Sequence, residues 1–481
     1  MIRPLHLLLA ASALLLAAAC GKMPADDPGQ TQDEKERYYV NTFACNTMRA
    51  YYLWADEISA SLDSWKTDEE PVGKVRDLRF KDSDGKEVDR WTRLYDDFDS
   101  FQGSVSGKRK SYGLAYRLYY TDKTHTRIQA TVTYTYPDSP AREAGLQRGD
   151  QILEVNGKQL TPDNYQQITA AELAAGESVT LTMADGGKKT LTARQLYEDP
   201  VLLMRIFGCG GKKVGYLHYT SFTLDSGQQL IEICREFRGR GVSELILDLR
   251  YNSGGYALTE ELFASMLAPE TAVTTGAILA TELYNPTIME VTGARSTPFT
   301  TDFTIDTDGG RNLLSTRGAN IGIDRLYAIV DSGTASASES LLCELYPYLD
   351  IVLIGGRTHG KFCSGLMIRA KDWYENFANE LGELAAGQDH VDGWGIYVMY
   401  SRFADRDGVT RCMPDGLAPD YPVEDNPHDG FQLGDPQESM LSVALGLAGF
   451  EAPAPAARQR SRTPAPEEVP VERPGFRIIG Y

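Results

Sequence analysis

The chain has 481 residues, of which 42% are hydrophobic and 24% are charged, and this composition is that of an ordinary globular protein with room for two or three domains. Its formal net charge of −19 argues against nucleic acid as a partner, because nucleic acids select for basic patches. The seven cysteines form no CxxC pair and no metal-ligand spacing, so we expect neither a metal nor a cofactor.

The N-terminus has the pattern of a secretory signal. Arg3 precedes an apolar stretch, residues 5–19, that is too short for a comfortable membrane span, so we predict a signal peptide over residues 1–19. The small residues before Cys20 resemble a bacterial lipoprotein box, which implies that a lipid on Cys20 anchors the mature protein to a bilayer. The alternative is plain signal cleavage with Cys20 incidental. We therefore expect a lipoprotein of a bacterial cell envelope, outer-membrane, periplasmic or surface-exposed.

Two segments follow this signal. Residues 20–37 are polar and contain two prolines, which predicts a flexible tether. Residues 38–108 carry aromatic clusters at helical spacing, such as Phe43, Tyr51 and Trp54. This pattern predicts a small helical N-terminal domain whose aromatic residues form its core and take no part in chemistry.

Residues 109–200 contain two motifs: a short helix that ends at a glycine, and a strand that ends in an Asn-Gly turn. Residues 139–146 read Ser-Pro-Ala-Arg-Glu-Ala-Gly-Leu, and residues 149–157 read Gly-Asp-Gln-Ile-Leu-Glu-Val-Asn-Gly. The segment resembles a PDZ domain, which implies an α+β domain that binds a peptide C-terminus as an added strand. The resemblance assigns peptide binding to Gly113, Leu114, Ala115 and Tyr116. The alternative is a PDZ-shaped spacer without a ligand.

Strands and helices alternate over residues 201–449, which predicts a mixed α/β sheet. The clearest elements are a strand at 214–219, a helix at 226–238, a strand at 244–249 and a helix at 257–267. A hairpin-bearing insertion is expected over 270–325. Residues 450–481 are rich in proline and arginine and are predicted to be a disordered tail.

A serine and a lysine stand out within this α/β region. Residues 331–340 read Asp-Ser-Gly-Thr-Ala-Ser-Ala-Ser-Glu-Ser and follow an apolar run, so Ser336 lies where a strand feeds a tight turn and a helix. Lys361 follows a second apolar run, and parallel strands would bring both groups to one sheet edge. Lysine can remove the serine proton only when neutral, so we predict a buried Lys361 with no paired carboxylate.

Backbone amides are the expected oxyanion donors, because glycine allows close approach and needs no side chain. We predict the amide of Ala337 as one donor and that of Gly254 or Gly255 as the other. His359 as a participant and Cys363 as a nucleophile are alternatives. Because export permits disulfides, we also predict a bridge between Cys363 and Cys412.

Four motifs together resemble the C-terminal processing (tail-specific) peptidases, a family of Ser–Lys serine proteases. They occur in the family's order over roughly residues 205–425. They are Asp-Leu-Arg-Tyr-Asn-Ser-Gly-Gly at 248–255, Gly-Thr-Ala-Ser-Ala-Ser-Glu at 333–339, Gly-Lys at 360–361 and Pro-Asp at 414–415. The resemblance selects Ser336 over Ser332 and Ser338 as the nucleophile, with Lys361 as its base.

One position departs from the family pattern. The family often places a glutamine four residues after the lysine to orient it, and Gly365 stands there instead. Glu339 and Ser364 are candidates for that role, and the sequence does not choose between them. The resemblance implies a membrane-tethered, exported serine endopeptidase that recognises polypeptide C-termini through its PDZ domain. The alternative is a non-catalytic peptide-binding protein on a degenerate peptidase fold, which would usually have lost the serine or the lysine.

Overall fold

The computed structural model describes residues 30–174, 176–307, 309–451, 466–470 and 477–479. Residues 477–479 are described by their backbone alone. The predicted signal peptide and Cys20 lie outside the described residues. Within the described ranges, no helix combines the length and the apolar character that crossing a bilayer requires.

The N-terminal region is helical, and its first helix begins at a capping box. The Thr31 hydroxyl accepts a hydrogen bond from the Glu34 amide, and the Glu34 carboxylate accepts one from the Thr31 amide at 2.8 Å. Because this box fixes the first turn, the helix starts inside the predicted tether 20–37, and that prediction is wrong for residues 32–37. The elements are α1 (Gln32–Tyr51), α2 (Ser59–Asp63), α3 (Pro71–Asp77), β1 (Arg93–Tyr95) and α4 (Phe98–Ser106).

The next region is an α+β domain around its own small core. Val179, Leu181 and Met183 alternate along one strand and are all buried, which is the period-2 pattern of a half-buried strand. The elements are β2 (Lys108–Ser111), β3 (Leu114–Tyr120), β4 (Ile128–Thr135), α5 (Pro140–Glu143), β5 (Gln151–Val155), β6 (Lys158–Gln159), α6 (Tyr165–Ile168), β7 (Ser178–Met183), β8 (Lys188–Thr192) and β9 (Arg194–Tyr197). The sheet runs β3-β4-β5-β7-β8, with β6 beside β5 and a separate β2-β9 pair.

The remaining described chain forms two large sheets, a separate two-stranded hairpin and several helices. Their elements are β10 (Val201–Cys209), β11 (Lys212–Tyr219), α7 (Gly227–Arg240), β12 (Glu244–Asp248), β13 (Gly254–Tyr256), α8 (Ala257–Leu267), α9 (Glu270–Thr274), β14 (Ile278–Tyr284), α10 (Pro286–Thr292), β15 (Arg295–Pro298), β16 (Asp302–Thr307), β17 (Gly310–Ser315), β18 (Arg325–Val330), α11 (Ala337–Leu345), β19 (Asp350–Gly355), β20 (Cys363–Arg369), α12 (Ala370–Asn376), α13 (Ala378–Leu381), β21 (Gly395–Asp405), β22 (Tyr421–Pro422), α14 (Ser439–Leu447) and β23 (Arg477–Ile479). The hairpin β16-β17 lies in the predicted insertion.

The first of these sheets runs β10-β11-β12-β18-β19-β22 and is parallel from β11 onward. Both of its faces are covered, so its strands are continuously apolar. Leu245 and Leu247 of β12 belong to the main core, whereas Ile246 packs on the opposite face with residues of α14. The predicted α/β core with a mixed sheet is confirmed.

The second sheet runs β13-β23-β20-β21-β14-β15, and β1 also pairs with β21. Its strand β23 comes from residues 450–481, and Glu468 of the same stretch forms a bridge with Tyr119 of β3 in the preceding domain. This pairing departs from the predicted disordered tail at residues 466–470 and 477–479. The backbone of these residues finds hydrogen-bond partners on strand edges, which the composition of the segment does not reveal.

Candidate active site

Ser336 lies at a strained turn between β18 and α11. Its φ angle is +66°, a left-handed conformation that non-glycine residues rarely adopt and that tends to persist where function requires it. The turn is held to the end of β12, because the Thr334 hydroxyl donates to the Leu249 carbonyl at 2.8 Å and the Ala335 amide donates to the Asn252 carbonyl at 3.1 Å. This strand–turn–helix arrangement is the one predicted from the sequence.

The amine of Lys361 lies beside the Ser336 hydroxyl. Its Nζ donates to Ser336 Oγ at 3.3 Å and to the Tyr397 hydroxyl at 2.8 Å. The amine also lies 5.0 Å from the ring centroid of Tyr397 and 5.8 Å from that of Trp91. Neither Ser336 nor Lys361 has exposed surface. The structure therefore brings the predicted nucleophile and base together in a dry, aromatic setting.

Glu339 joins the two catalytic loops through their backbones. Its carboxylate accepts hydrogen bonds from the amides of Ser336 at 3.1 Å, Gly360 at 2.7 Å and Lys361 at 2.8 Å, and from the Thr358 hydroxyl at 2.5 Å. Burial raises the pKa of Glu339 to about 7, although these four donors oppose the shift. Glu339 thus positions the main chain of both residues, whereas the sequence suggested it as an orienter of the lysine amine.

The hydroxyl that contacts the lysine amine belongs to Tyr397, which the sequence analysis did not single out. A Cβ atom built on Gly365 would lie 2.4 Å from the Tyr397 ring. The ring therefore fills the space that a side chain at position 365 would need, which explains why a glycine replaces the usual glutamine. Ser364, the other predicted orienter, is buried on β20 and pairs with Ser401 in the sheet.

One of the two predicted oxyanion glycines has its amide engaged by a side chain. The Gly254 amide donates to Asn252 Oδ1 at 2.9 Å, so Gly254 is engaged and its assignment as a donor is withdrawn. Gly255 has a φ of +148°, and a Cβ there would meet the Phe222 carbonyl oxygen at 2.4 Å, so this position requires glycine. Ala337 is the first residue of α11, where amides lack partners within the helix.

The N-terminal region contributes a wall to the site, although the sequence predicted no role for it. The Trp91 ring lies edge-on to Phe362 and to the imidazole of His359, with centroids 6.1 Å away in both cases. Strand β1, two residues later, pairs Arg93 with Tyr397. These are long-range contacts, which a local pattern does not indicate.

The predicted disulfide does not form. Cys363 and Cys412 are both free and buried. Burial raises the pKa of the Cys363 thiol far above its ordinary value, which keeps it protonated and argues against Cys363 as a nucleophile. No cluster of three or more metal-ligating side chains exists in the part of the chain that the structure describes.

The predicted peptide-binding loop leads into the edge of β3. Gly113 has a φ of +67°, its amide donates to the Ser111 hydroxyl at 2.8 Å, and a Cβ there would lie 2.2 Å from Cβ of Ser139. Close packing against α5 therefore requires glycine. Leu114, Ala115 and Tyr116 begin β3, whose other edge pairs with β4.

A buried arginine cluster joins this domain to the nucleophile turn. It consists of Arg117, Arg148 and Arg250 with Asp248, Asp331, Asp425 and Glu438. Asp331, the first residue of the turn, bonds the Arg117 guanidinium and accepts from the Gly333 amide at 2.9 Å. Burial alone would raise the pKa of Asp425, but the three guanidinium groups hold it well below its usual range.

Comparison with known proteins agrees with this architecture. Residues 213–423 match the model of peptidase family S41, and residues 131–184 match that of the PDZ domain. A carboxyl-terminal-processing protease of Synechocystis is 25% identical, with 74% of this chain and 73% of that protein covered. One of Picosynechococcus is 24% identical, with 57% and 60% covered. A crystal structure described as an S41 protease from Bacteroides fragilis shares the fold at a TM-score of 0.62 and 23% identity, covering 84% of this chain and 96% of that one.

Proposed function

We propose, from the premise that this chain carries a peptidase family S41 domain and a PDZ domain, that it is an exported serine endopeptidase that cleaves polypeptides by a Ser–Lys mechanism. The observation that supports this mechanism is the 3.3 Å contact between Lys361 Nζ and Ser336 Oγ in a site without exposed surface. A lysine beside a nucleophilic hydroxyl, away from water, is the arrangement that lets an amine act as a base.

The first half of the reaction forms an ester. Neutral Lys361 accepts the Ser336 proton while Oγ bonds to the scissile carbonyl carbon, and the amides of Gly255 and Ala337 stabilise the resulting oxyanion. The lysine ammonium then gives its proton to the leaving amine as the C–N bond breaks. The Tyr397 hydroxyl holds the amine in place throughout, because its 2.8 Å bond limits rotation of the long lysine side chain.

The second half hydrolyses the ester. The neutral lysine takes a proton from water, whose oxygen bonds to the ester carbonyl carbon. Collapse of the second tetrahedral intermediate breaks the bond to Oγ and returns a proton to Ser336. The products are a shortened polypeptide with a new carboxylate and a released amine, so no cofactor enters the balance.

Substrate choice is assigned to the PDZ domain, which would hold polypeptide C-termini at the loop of Gly113 and Leu114. The relatives named as carboxyl-terminal-processing proteases support this assignment. A lipid on Cys20 would tether the enzyme to a membrane of the bacterial cell envelope, which is the proposed location. Cys20→Ser should then move the protein out of the membrane fraction, and an unchanged distribution would contradict the anchor.

The decisive experiment compares two serine variants on an unfolded test protein. Ser336→Ala should abolish cleavage, whereas Ser338→Ala, on the first turn of the same helix, should keep most of it. A loss confined to Ser338→Ala would overturn the assignment. Peptide substrates with a free and an amidated C-terminus, otherwise identical, separate C-terminal recognition from cleavage itself. If kcat/KM is equal for the free and the amidated peptide, the protein is an endopeptidase that does not recognise the substrate C-terminus.

A further inference from the structure

The C-terminal segment, described at residues 466–470 and 477–479, touches both places where a substrate would bind. Its first contact is with the PDZ domain. The Tyr120 amide donates to the Glu467 carbonyl and the Val469 amide donates to the Leu118 carbonyl, both at 2.9 Å, with Glu468 opposite Tyr119 in an antiparallel bridge. Strand addition at a free sheet edge is how PDZ domains hold peptides. The segment thus lies on β3, the strand that the Gly113 loop opens.

Side chains reinforce this first contact. Val469 is only 3% exposed and packs in the hydrophobic core of the PDZ domain. The Glu468 carboxylate lies 3.4 Å from the Arg117 guanidinium, and Glu467 lies 2.9 Å from Nε2 of His125. A buried apolar side chain flanked by paired charges, as Val469 is here, is typical of a specific interface.

The second contact is in the catalytic sheet. The backbone of β23 pairs in parallel with β13, with Gly255 opposite Ile478, and Ile479 also pairs with Gly365 on β20. Strand β13 carries the oxyanion glycine, and β20 begins two residues after Lys361. The segment therefore completes the sheet between the two strands that position the catalytic groups.

The edge of β13 that bonds the segment is the edge that catalysis needs. The Gly254 carbonyl accepts from the Phe222 amide, and the Tyr256 amide donates to the Phe222 carbonyl. Since successive residues of a strand direct their polar groups to opposite edges, the amide of Gly255 faces β23. A main-chain strand from the same molecule therefore lies where the carbonyl of a substrate would meet its oxyanion donor.

We propose that this C-terminal segment is a built-in competitor of substrate, occupying the PDZ edge and the catalytic cleft in cis. The proposal rests on the proposed function, because it assigns a regulator to that same site. Ser336 and Lys361 have no exposed surface, so a substrate must displace some part of the chain to reach them. A competitor on the same chain acts at a high effective concentration. A substrate is therefore cleaved only if it displaces the segment both from the catalytic cleft and from the PDZ edge.

The test uses the full chain and a variant ending at Ala465, which removes both the Val469 anchor and β23. The shortened enzyme should cleave a fluorogenic peptide with a severalfold higher kcat/KM. A synthetic peptide of residues 466–481 should raise its KM without changing kcat, and a scrambled peptide of the same composition should do neither. Unchanged kcat/KM on shortening, together with no competition, would overturn the proposal.

A binding measurement separates this proposal from the proposed function. In the Ser336→Ala background, the labelled 466–481 peptide should bind the shortened chain and bind the full chain at least tenfold more weakly, as read by fluorescence anisotropy. Equal binding to both chains would count against occupancy in cis, whether or not the protein hydrolyses anything. If the wild-type chain trims its own end and Ser336→Ala does not, the mass difference supports occupancy of the cleft. If the protein hydrolyses nothing but the peptide still binds the shortened chain more tightly than the full chain, the proposed peptidase function is rejected. The proposal that the segment docks in cis is then still supported.

Discussion

Two buried polar clusters lie at either end of the nucleophile turn, and they surround their basic groups differently. In the arginine cluster, Arg250 bonds carboxylates on two sides, with Asp248 at 2.7 Å and Glu438 at 2.8 Å. At the active site, the Lys361 amine bonds the hydroxyls of Ser336 and Tyr397. Carboxylates keep a cation charged, whereas burial away from water disfavours the charged form of an amine. The difference separates a structural junction from the proposed catalytic base.

The carboxylates of the two clusters show the same contrast. Three guanidinium groups hold the pKa of Asp425 well below its usual range despite burial, whereas burial raises the pKa of Glu339 to about 7 in a setting of amides and a hydroxyl. Asp425 is thus fixed as an anion that ties the PDZ domain to the core. Glu339 is held by four neutral or backbone donors and serves as a brace between two loops.

The largest effect is expected from Lys361→Arg, which would give the active site the chemistry of the arginine cluster. A guanidinium keeps its proton, so the variant should lose activity by at least about a thousandfold, the order seen on removing a catalytic group. The measurement is kcat/KM on a fluorogenic peptide. Lys371→Arg, at an exposed position on α12, is the matched control and should be neutral.

Near wild-type turnover of Lys361→Arg would contradict the role of Lys361 as a base. The lysine would then act only as a positive charge, and the imidazole of His359 would become the base to test. Thermal unfolding of both variants shows whether a loss of activity comes from the chemistry or from the fold.

The second prediction breaks the arginine cluster. Asp425→Asn leaves Arg117, Arg148 and Arg250 short of one anion, and removing one partner of a buried ion pair typically costs about 3–5 kcal/mol of unfolding free energy. Urea denaturation at neutral pH measures it, with the exposed Asp84→Asn as control. A loss below about 1 kcal/mol would mean that the cluster is solvated in the folded protein.

The third prediction isolates the hydroxyl that contacts the lysine. Tyr397→Phe keeps the ring that fills the space beside Gly365 and removes the hydroxyl that makes the 2.8 Å bond to Lys361. We expect kcat to fall about ten- to a hundredfold. Because a positioning residue acts through the lysine, the pH profile of kcat should shift as well. The control is Tyr400→Phe, on the same strand as Tyr397, which removes a hydroxyl bonded to Glu282. It should change neither kcat nor its pH profile.

Local sequence patterns predicted the parts of the site that lie within one strand–turn–helix unit. The turn at Ser336, the helix after it and the parallel neighbours β18 and β19 all follow from apolar runs broken by small residues. The pairing of Ser336 with Lys361 was expected for the same reason, since adjacent parallel strands end at the same edge.

Long-range pairing decided what the sequence analysis missed. Tyr397 reaches the lysine only because β21 pairs antiparallel with β20. In the sequence, the glycine at position 365 was the one nearby feature that pointed to it. The placement of β23 likewise depends on a strand edge distant in sequence. The engaged amide of Gly254 is the local exception, because it bonds the side chain of Asn252 two residues earlier. Periodicity reports which face of an element is buried, but it does not identify the partner across the interface.

The smallest expected effect is a pH dependence carried by Glu339. Its pKa is about 7 in the folded protein against an ordinary value of 4.5, so between these values the folded state binds more of this proton than the unfolded state does. The stability that this group contributes is therefore fully present below pH 4.5 and is lost as the pH rises through 7. Glu339→Gln should remove this slope, which is limited to about 1.4 kcal/mol per pH unit for one proton.

Urea denaturation of the wild type and Glu339→Gln from pH 4 to 8 makes the comparison, and the exposed Glu270→Gln is the control that should leave the slope unchanged. Asp425 contributes in the opposite direction, because a lowered pKa gives stability that is lost on acidification. A Glu339→Gln slope equal to that of the wild type would mean that the four donors keep Glu339 ionised throughout the range. The active-site carboxylate would then resemble Asp425, and the contrast between the two clusters would hold for the basic groups alone.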